Sequence, residues 1–305
     1  MSWFFIALGA PALWGAVNHV DKYIITRYFK SDRGVGSLVI FTSLSGIIMA
    51  ILIVIFAPHS LGLEIIPAIV IAVNGAILVA SFIPYMYAIE HEEASFVTAL
   101  FQMIPVFVYI LALIFLNEQL STSQILSSAL VVVGATIISL DLTHTIRFKA
   151  KPFWLMMLSS FMLAVNALIF KVIALDANFW GTAFWEYVGG GIFGIVLLSL
   201  MPLYRRQFIA TVKLSGAKVV SVNLVAEMMN IVAKLLANFA SLLAPLALVW
   251  VVNGFQPALV FVYGIILTLF IPKWGKENLS RKVVLQKISA MVVIFVGVVL
   301  LLKRS

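Results

Sequence analysis

Ten predominantly apolar blocks follow one another along the chain, each about as long as a helix that crosses a bilayer. Their approximate limits are 2–20, 37–57, 65–88, 94–116, 124–140, 152–173, 181–201, 218–240, 244–271 and 285–302. A helix rises about 1.5 Å per residue and the hydrocarbon core is about 30 Å thick, so about 20 apolar residues suffice to span it. Within hydrocarbon each backbone N–H and C=O must be satisfied inside the segment, which makes helix the structure for blocks of this length. Apolar residues make up 63% of the chain and charged residues 10%, and the connections are short, so no soluble domain is expected. The first block has no basic residue before Trp3 and no small-residue cleavage site, which predicts a span rather than a signal peptide. The fold class is therefore all-α and integral to a membrane, with ten transmembrane helices.

The net charge of +8 does not point to nucleic acid, because the basic residues are sorted by loop. Lys22, Arg27, Lys30 and Arg33 follow the first block; Arg147, Lys149 and Lys151 follow the fifth. Arg205, Arg206, Lys213 and Lys218 follow the seventh; Lys273, Lys276, Arg281, Lys282 and Lys287 follow the ninth. The opposite side carries Lys303 and Arg304. Basic loops stay cytoplasmic, so the expected location is the plasma (bacterial inner) membrane with both termini outward. The absence of cysteine excludes disulfides and thiol chemistry.

Polar groups inside apolar blocks locate the interior. In NLVAEMMNIVAK, residues 223–234, Asn223, Glu227, Asn230 and Lys234 follow i, i+4, i+7 and i+11. At about 100° per residue they share an arc of roughly 60°. A charge in hydrocarbon costs at least about 2.5 kcal/mol, so this stripe is expected to face a bundle interior or a wet cavity. A structural polar seam is the plainer reading, since asparagine often bridges membrane helices. Glu186 lies about as deep in the seventh block as Lys234 in the eighth, which makes it the better ion partner for Lys234. Glu227 is then left without a cation near mid-membrane, where it suits a proton-coupling role or a structural one among amides. Lys171 is expected to snorkel toward Asp176.

Short matches recur in order between the halves. AVN occurs at 16–18 and 164–166, VN at 73–74 and 222–223, and FQMIPVFVY at 101–109 aligns with FQPALVFVY at 255–263. The implied organisation is two five-helix repeats, 1–145 and 146–305, within one integral domain. Five helices per repeat is an odd number, so the second enters the membrane inverted and the binding site falls between the halves. The repeat pairs Asn18 with Asn166, Asn74 with Asn223, and Gln102 with Gln256. With Asn253, Glu227 and Asn230 these are the candidate substrate-binding residues; Glu186, Glu227 and Lys234 are the candidate ion-pair or coupling residues.

The stretch 94–139, ASFVTALFQMIPVFVYILALIFLNEQLSTSQILSSALVVVGATIIS, resembles the fourth and fifth helices of the EamA-like, ten-helix members of the drug/metabolite transporter superfamily. The resemblance extends to APALWGAVN at the start and to APLALVWVVNGFQPALVFVY and IFVGVVLLL in the second half. It implies the fold and a transport function. Glu118 matches the family's glutamate after the fourth helix, and Gly134 and Gly297 match its late packing glycines. PKWGKENLSRK, 272–282, departs from the family's short turn, so Glu277 has no such counterpart role. Many relatives have both ends cytoplasmic; the loop charges favour the opposite here.

Sequence signatures of catalysis are missing: there is no H-E-x-x-H, G-x-S-x-G or Walker-type loop, and the four histidines lie at block ends or in connections. No enzyme activity, cofactor or metal is expected. GGG at 189–191 with Gly194 reads as close helix packing. Pro11, Pro84, Pro105 and Pro257 are expected inside helices, as kinks or hinges. The sequence points to a secondary transporter exporting a small polar or amphipathic metabolite by alternating access, proton-coupled through Glu227. An amino-acid-like metabolite would suit a wall offering both carboxylate and ammonium. The alternatives are a carrier of lipid- or nucleotide-linked sugars, or a non-transporting membrane protein such as a lipid-handling enzyme or assembly partner. The expected partners are the bilayer and the substrate, with a monomer or homodimer as the assembly.

Overall fold

Helix forms in every one of the ten apolar blocks, as the need to satisfy backbone groups internally requires. The computed structural model describes residues 2–28, 35–91, 97, 100–101, 103–139, 150–214, 216–271 and 279–302. Its helices are α1 (Ser2–Tyr28), α2 (Val35–Phe56), α3 (Ile65–His91), α4 (Met103–Phe115), α5 (Thr122–Ser139) and α6 (Ala150–Asp176). They continue as α7 (Phe179–Leu200), α8 (Pro202–Leu214), α9 (Gly216–Leu243), α10 (Leu246–Val252), α11 (Gln256–Phe270) and α12 (Arg281–Leu302). Two 3₁₀ turns, Pro58–Ser60 and Asn253–Phe255, complete the described secondary structure. Eight stretches are long and apolar enough to cross a membrane, and Met103–Phe115 and Thr122–Gly134 are shorter apolar helices. The chain is a multi-pass integral membrane protein.

Polarity is distributed inside-out. Phe56 and Phe270 are 81% and 76% exposed, whereas Asn74, Asn166 and Glu186 are at most 1% exposed. An apolar exterior of this kind needs lipid rather than water around it.

Two features depart from the sequence expectation. The ninth block is one span but not one helix: α10 ends at Val252, Asn253–Phe255 forms a 3₁₀ turn, and α11 restarts with Pro257 in its first turn. Proline costs nothing there, because the first N–H groups of a helix lack intrahelical partners anyway. Pro105 likewise lies third in α4, so of the four prolines Pro11 and Pro84 are the ones in helix interiors. The second departure is α8, a helix where a basic loop was expected. Its Tyr204, Gln207 and Thr211 recur at helical spacing and are buried, and the Gln207 side chain accepts from the Gly36 N–H of α2 at 2.9 Å. Thirteen residues carrying Arg205, Arg206 and Lys213 are too short and too polar to read as a span.

The long helices pack in specific pairs: α1 against α9 and α11, α3 against α6 and α7, α2 against α7 and α8, α4 against α6 and α10, and α5 against α12. Glycine sets the closest of these crossings. A Cβ on Gly189 would sit 1.8 Å from the Ala72 carbonyl oxygen, and one on Gly75 1.8 Å from that of Glu186, so α3 and α7 touch backbone to backbone. Gly134 and Gly297 do the same for α5 and α12, each facing a carbonyl of the other helix at about 3 Å. The α5–α12 pair stands aside from the centre, where the remaining long helices enclose a mostly apolar cavity that carries a few polar and ionisable side chains.

Candidate functional site

The central cavity has a volume of about 120 Å³, room for a small solute rather than a single water. Its wall is drawn from α1, α2, α3, α4, α6, α7, α9, α10, the Asn253–Phe255 turn and α11. The stripe on α9 supplies one side. Glu227, Asn230 and Lys234 line the cavity; Asn223 is buried off the wall with its Oδ1 unpartnered.

Lys234 forms a four-residue cluster with Asn166, Glu186 and Asn74. Its ammonium donates to Asn166 Oδ1 and lies 3.9 Å from Glu186 Oε1. The Asn166 amide donates to Glu186 Oε1 at 2.7 Å and to the Asn74 carbonyl at 3.2 Å; the Asn74 amide donates to Glu186 Oε1 at 3.1 Å and to the Asn166 carbonyl at 3.0 Å. Both hydrogens of each amide are thereby used, and four helices are tied at one point. Local sequence places Glu186 there: Asn178 caps α7 by accepting from the Gly181 N–H at 2.7 Å, and Glu186 follows about two turns later at the glycine-tight crossing with α3. Its second oxygen, Oε2, has no partner.

Glu227 is held differently. Thr42 Oγ1 lies 2.6 Å from its Oε1, Ser45 Oγ lies 3.5 Å from its Oε2, and Asn230 also bonds to it. Toward the loop that follows α1, Asp21 accepts from the Tyr85 hydroxyl at 3.1 Å. Gln256 donates to Asn18 Oδ1 at 3.0 Å, bringing the first and ninth blocks together on the wall.

The sequence candidates therefore separate by position. Asn18, Glu186, Glu227, Asn230, Lys234, Asn253 and Gln256 line the cavity, Asn74 and Asn166 stand behind it holding Glu186, and Gln102 lies outside the described residues. Sequence reasoning missed Asp21, Thr42, Ser45 and Tyr85, as well as the stacked Trp14 and Trp250, whose rings are 6.1 Å apart. Asp21 had a legible signal, since Trp14, Asn18 and Asp21 follow i, i+4, i+7, but the first block was ended at Val20. Lys171 needs a correction: it pairs with Glu118 and donates to the Ala244 carbonyl at 3.0 Å, not with Asp176. Five residues along a helix turn the side chains about 140° apart, so Asp176 faces elsewhere. The other Glu118 oxygen accepts from the Leu246 N–H at 2.8 Å, at the start of α10.

A sequence model of the EamA-like transporter family matches residues 1–140. Over that stretch the chain is similar to the EamA-like transporter family. This is a family of transporters, not of enzymes, and its stretch here contains Asn18, Asp21, Thr42, Tyr85 and Glu118. A protein known from a crystal structure is similar in fold over 98% of this chain and 96% of its own, with a TM-score of 0.69 and 12% identity. The shared fold thus extends well beyond the EamA-like stretch. A search of the curated proteins found no match.

Proposed function

We propose that this chain is a secondary transporter that exports a small polar or amphipathic metabolite through the central cavity by alternating access, with Glu227 carrying the coupling proton. The observation that supports coupling is the hydrogen-bond set at Thr42. Its single hydroxyl hydrogen has two acceptors in reach, the Leu38 carbonyl at 3.1 Å and Glu227 Oε1 at 2.6 Å. When Glu227 is protonated, the acid donates to Thr42 Oγ1 and Thr42 donates to Leu38. When Glu227 is ionised, the hydroxyl turns to the carboxylate. Both protonation states are accommodated without moving a helix.

The helix pairs support an inverted repeat of 1–145 and 146–305. Exchanging the halves turns the α1–α9 contact into α6–α3, and turns α4 against α6 into α10–α11 against α1; all four contacts occur. The pairs α2–α7 and α5–α12 map onto themselves. A substrate site between repeats, opened alternately by rocking one half on the other, is the working scheme such a plan supports. The proposed setting is the bacterial inner membrane with the basic loops cytoplasmic.

The test is flux in sealed proteoliposomes under an imposed pH gradient. Wild-type protein should respond to the gradient, and Glu227→Gln, which keeps shape and most hydrogen bonding, should lose that response while still catalysing counterflow. A gradient response retained in Glu227→Gln would remove this residue from coupling, and substrate turnover in detergent without flux would favour an enzyme on this fold.

A further inference from the structure

Three carboxylates on the cavity wall, Asp21, Glu186 and Glu227, face one ammonium, Lys234. That ammonium is committed: it donates to Asn166 and pairs with Glu186, which two amides also hold. Among the described residues neither Asp21 nor Glu227 has an ion-pair partner, and the short hydrogen bonds to them come from neutral hydroxyls, Tyr85 and Thr42. Both carboxyl groups lie on the wall of the same cavity. A cavity with low-dielectric walls and two unmatched carboxylates draws in a cation and repels an anion.

Two further atoms are open to a ligand, a carboxylate oxygen that accepts from N–H or cationic C–H groups and a phenol hydroxyl that can donate or accept. Glu186 Oε2 and the Tyr187 hydroxyl have no hydrogen-bond partner, and both residues are more than nine-tenths buried on the wall. Unpaired buried polar atoms are rare and call for a partner. The aromatic lining adds a second, independent feature. Trp14 and Trp250 stack with their planes 19° apart, and Trp14 shares a face of α1 with Asp21, about 10 Å away along the helix. Aromatic faces attract cations and accommodate apolar bodies.

We propose that the cavity binds an organic cation, an amine or quaternary ammonium on an aromatic or aliphatic body. Its charge sits between Asp21 and Glu227 and its body lies against the Trp14–Trp250 pair. This deepens the transport reading, on which it rests for movement across the membrane, by naming the substrate class. It also replaces the amino-acid-like expectation, which needed an ammonium free to receive a carboxylate.

The test uses the full chain and probes that share a benzyl body and differ in charge: benzyltrimethylammonium, 2-phenylethylamine, phenylalanine and phenylacetate. Thermal unfolding in detergent should rise with either cation and stay unchanged with phenylalanine or phenylacetate. Asp21→Asn and Glu227→Gln should each weaken cation binding about tenfold or more, and Trp250→Ala should weaken it separately. Stabilisation by phenylalanine or phenylacetate equal to that by the cations overturns the proposal, as does no stabilisation by either cation in the wild-type chain. Cation binding unchanged in both carboxylate variants overturns the placement. Proteoliposome flux separates this from the transport reading: phenylalanine moving without cation binding leaves transport standing and removes the cation site, whereas benzyltrimethylammonium binding without movement does the reverse.

Discussion

Asn166 holds the cluster together, because its amide group serves Lys234 through oxygen and Glu186 and the Asn74 backbone through nitrogen. Lys234 and Glu186 are buried together, and removing one leaves the other uncompensated at a cost of about 3–5 kcal/mol. Lys234→Met and Glu186→Gln should each lower stability more than the double variant does, and a thermodynamic cycle from thermal unfolding would measure the coupling. Equal and additive losses would mean the two do not interact. The α9 half of this cluster was legible, since a period of 3.6 in a membrane span forces charges onto one side and depth narrows the partner. The amide pair was legible only as singles. That Asn74 and Asn166 would clamp each other's carbonyls depends on how α3 crosses α6, which no local pattern encodes. Thr42 and Ser45 were invisible for a related reason: hydroxyls in membrane helices usually bond their own backbone, as Thr42 does with Leu38, and only tertiary contact gives them Glu227.

At the level of elements, the α3–α7 crossing is the tightest contact built by glycine. Gly189→Ala would place a methyl 1.8 Å from the Ala72 carbonyl oxygen, an overlap relieved only by moving a backbone, so the expected loss is about 1–3 kcal/mol or more. Gly62→Ala meets nothing within 4 Å and is the matched control, expected to unfold like the parent. Because Glu186 lies in that crossing, separating the helices should also weaken its bonds to Asn74. A second element contact joins α4, α6 and α10 through Glu118. Glu118→Gln keeps an acceptor for the Leu246 N–H but deletes the charge facing Lys171, whereas Glu118→Ala deletes both. Thermal unfolding should therefore rank the parent above Glu118→Gln and Glu118→Ala lowest; an unchanged Glu118→Ala would show that α10 does not depend on this contact. The GGG run disclosed close packing from sequence because three glycines have little other use in an apolar helix. The break between α10 and α11 was harder to see, since Asn253 and Gly254 sit within an apolar run and the helix resumes after three residues.

Over the whole molecule, ten apolar blocks were readable because bilayer thickness fixes helix length regardless of how the helices pack. Their pairing was not readable in the same way, and α8 escaped because its burial comes from tertiary contacts with α2, α7 and α9. That helix now gives the sharpest handle on orientation. It carries Arg205, Arg206 and Lys213 directly after α7, and the positive-inside rule keeps such a segment cytoplasmic. Ser121 lies between α4 and α5, an odd number of membrane crossings away, and is exposed. The chain contains no cysteine, so single substitutions report without background. In intact cells an impermeant maleimide should label Ser121→Cys and spare Arg205→Cys and Lys213→Cys, and permeabilising the cells should make all three reactive. Labelling of the α8 positions with protection of Ser121→Cys would invert the molecule, placing the Lys171–Glu118 contact on the cytoplasmic side and Asp21 nearer the outer face. The direction in which the proposed cation site first opens would then have to be reversed as well.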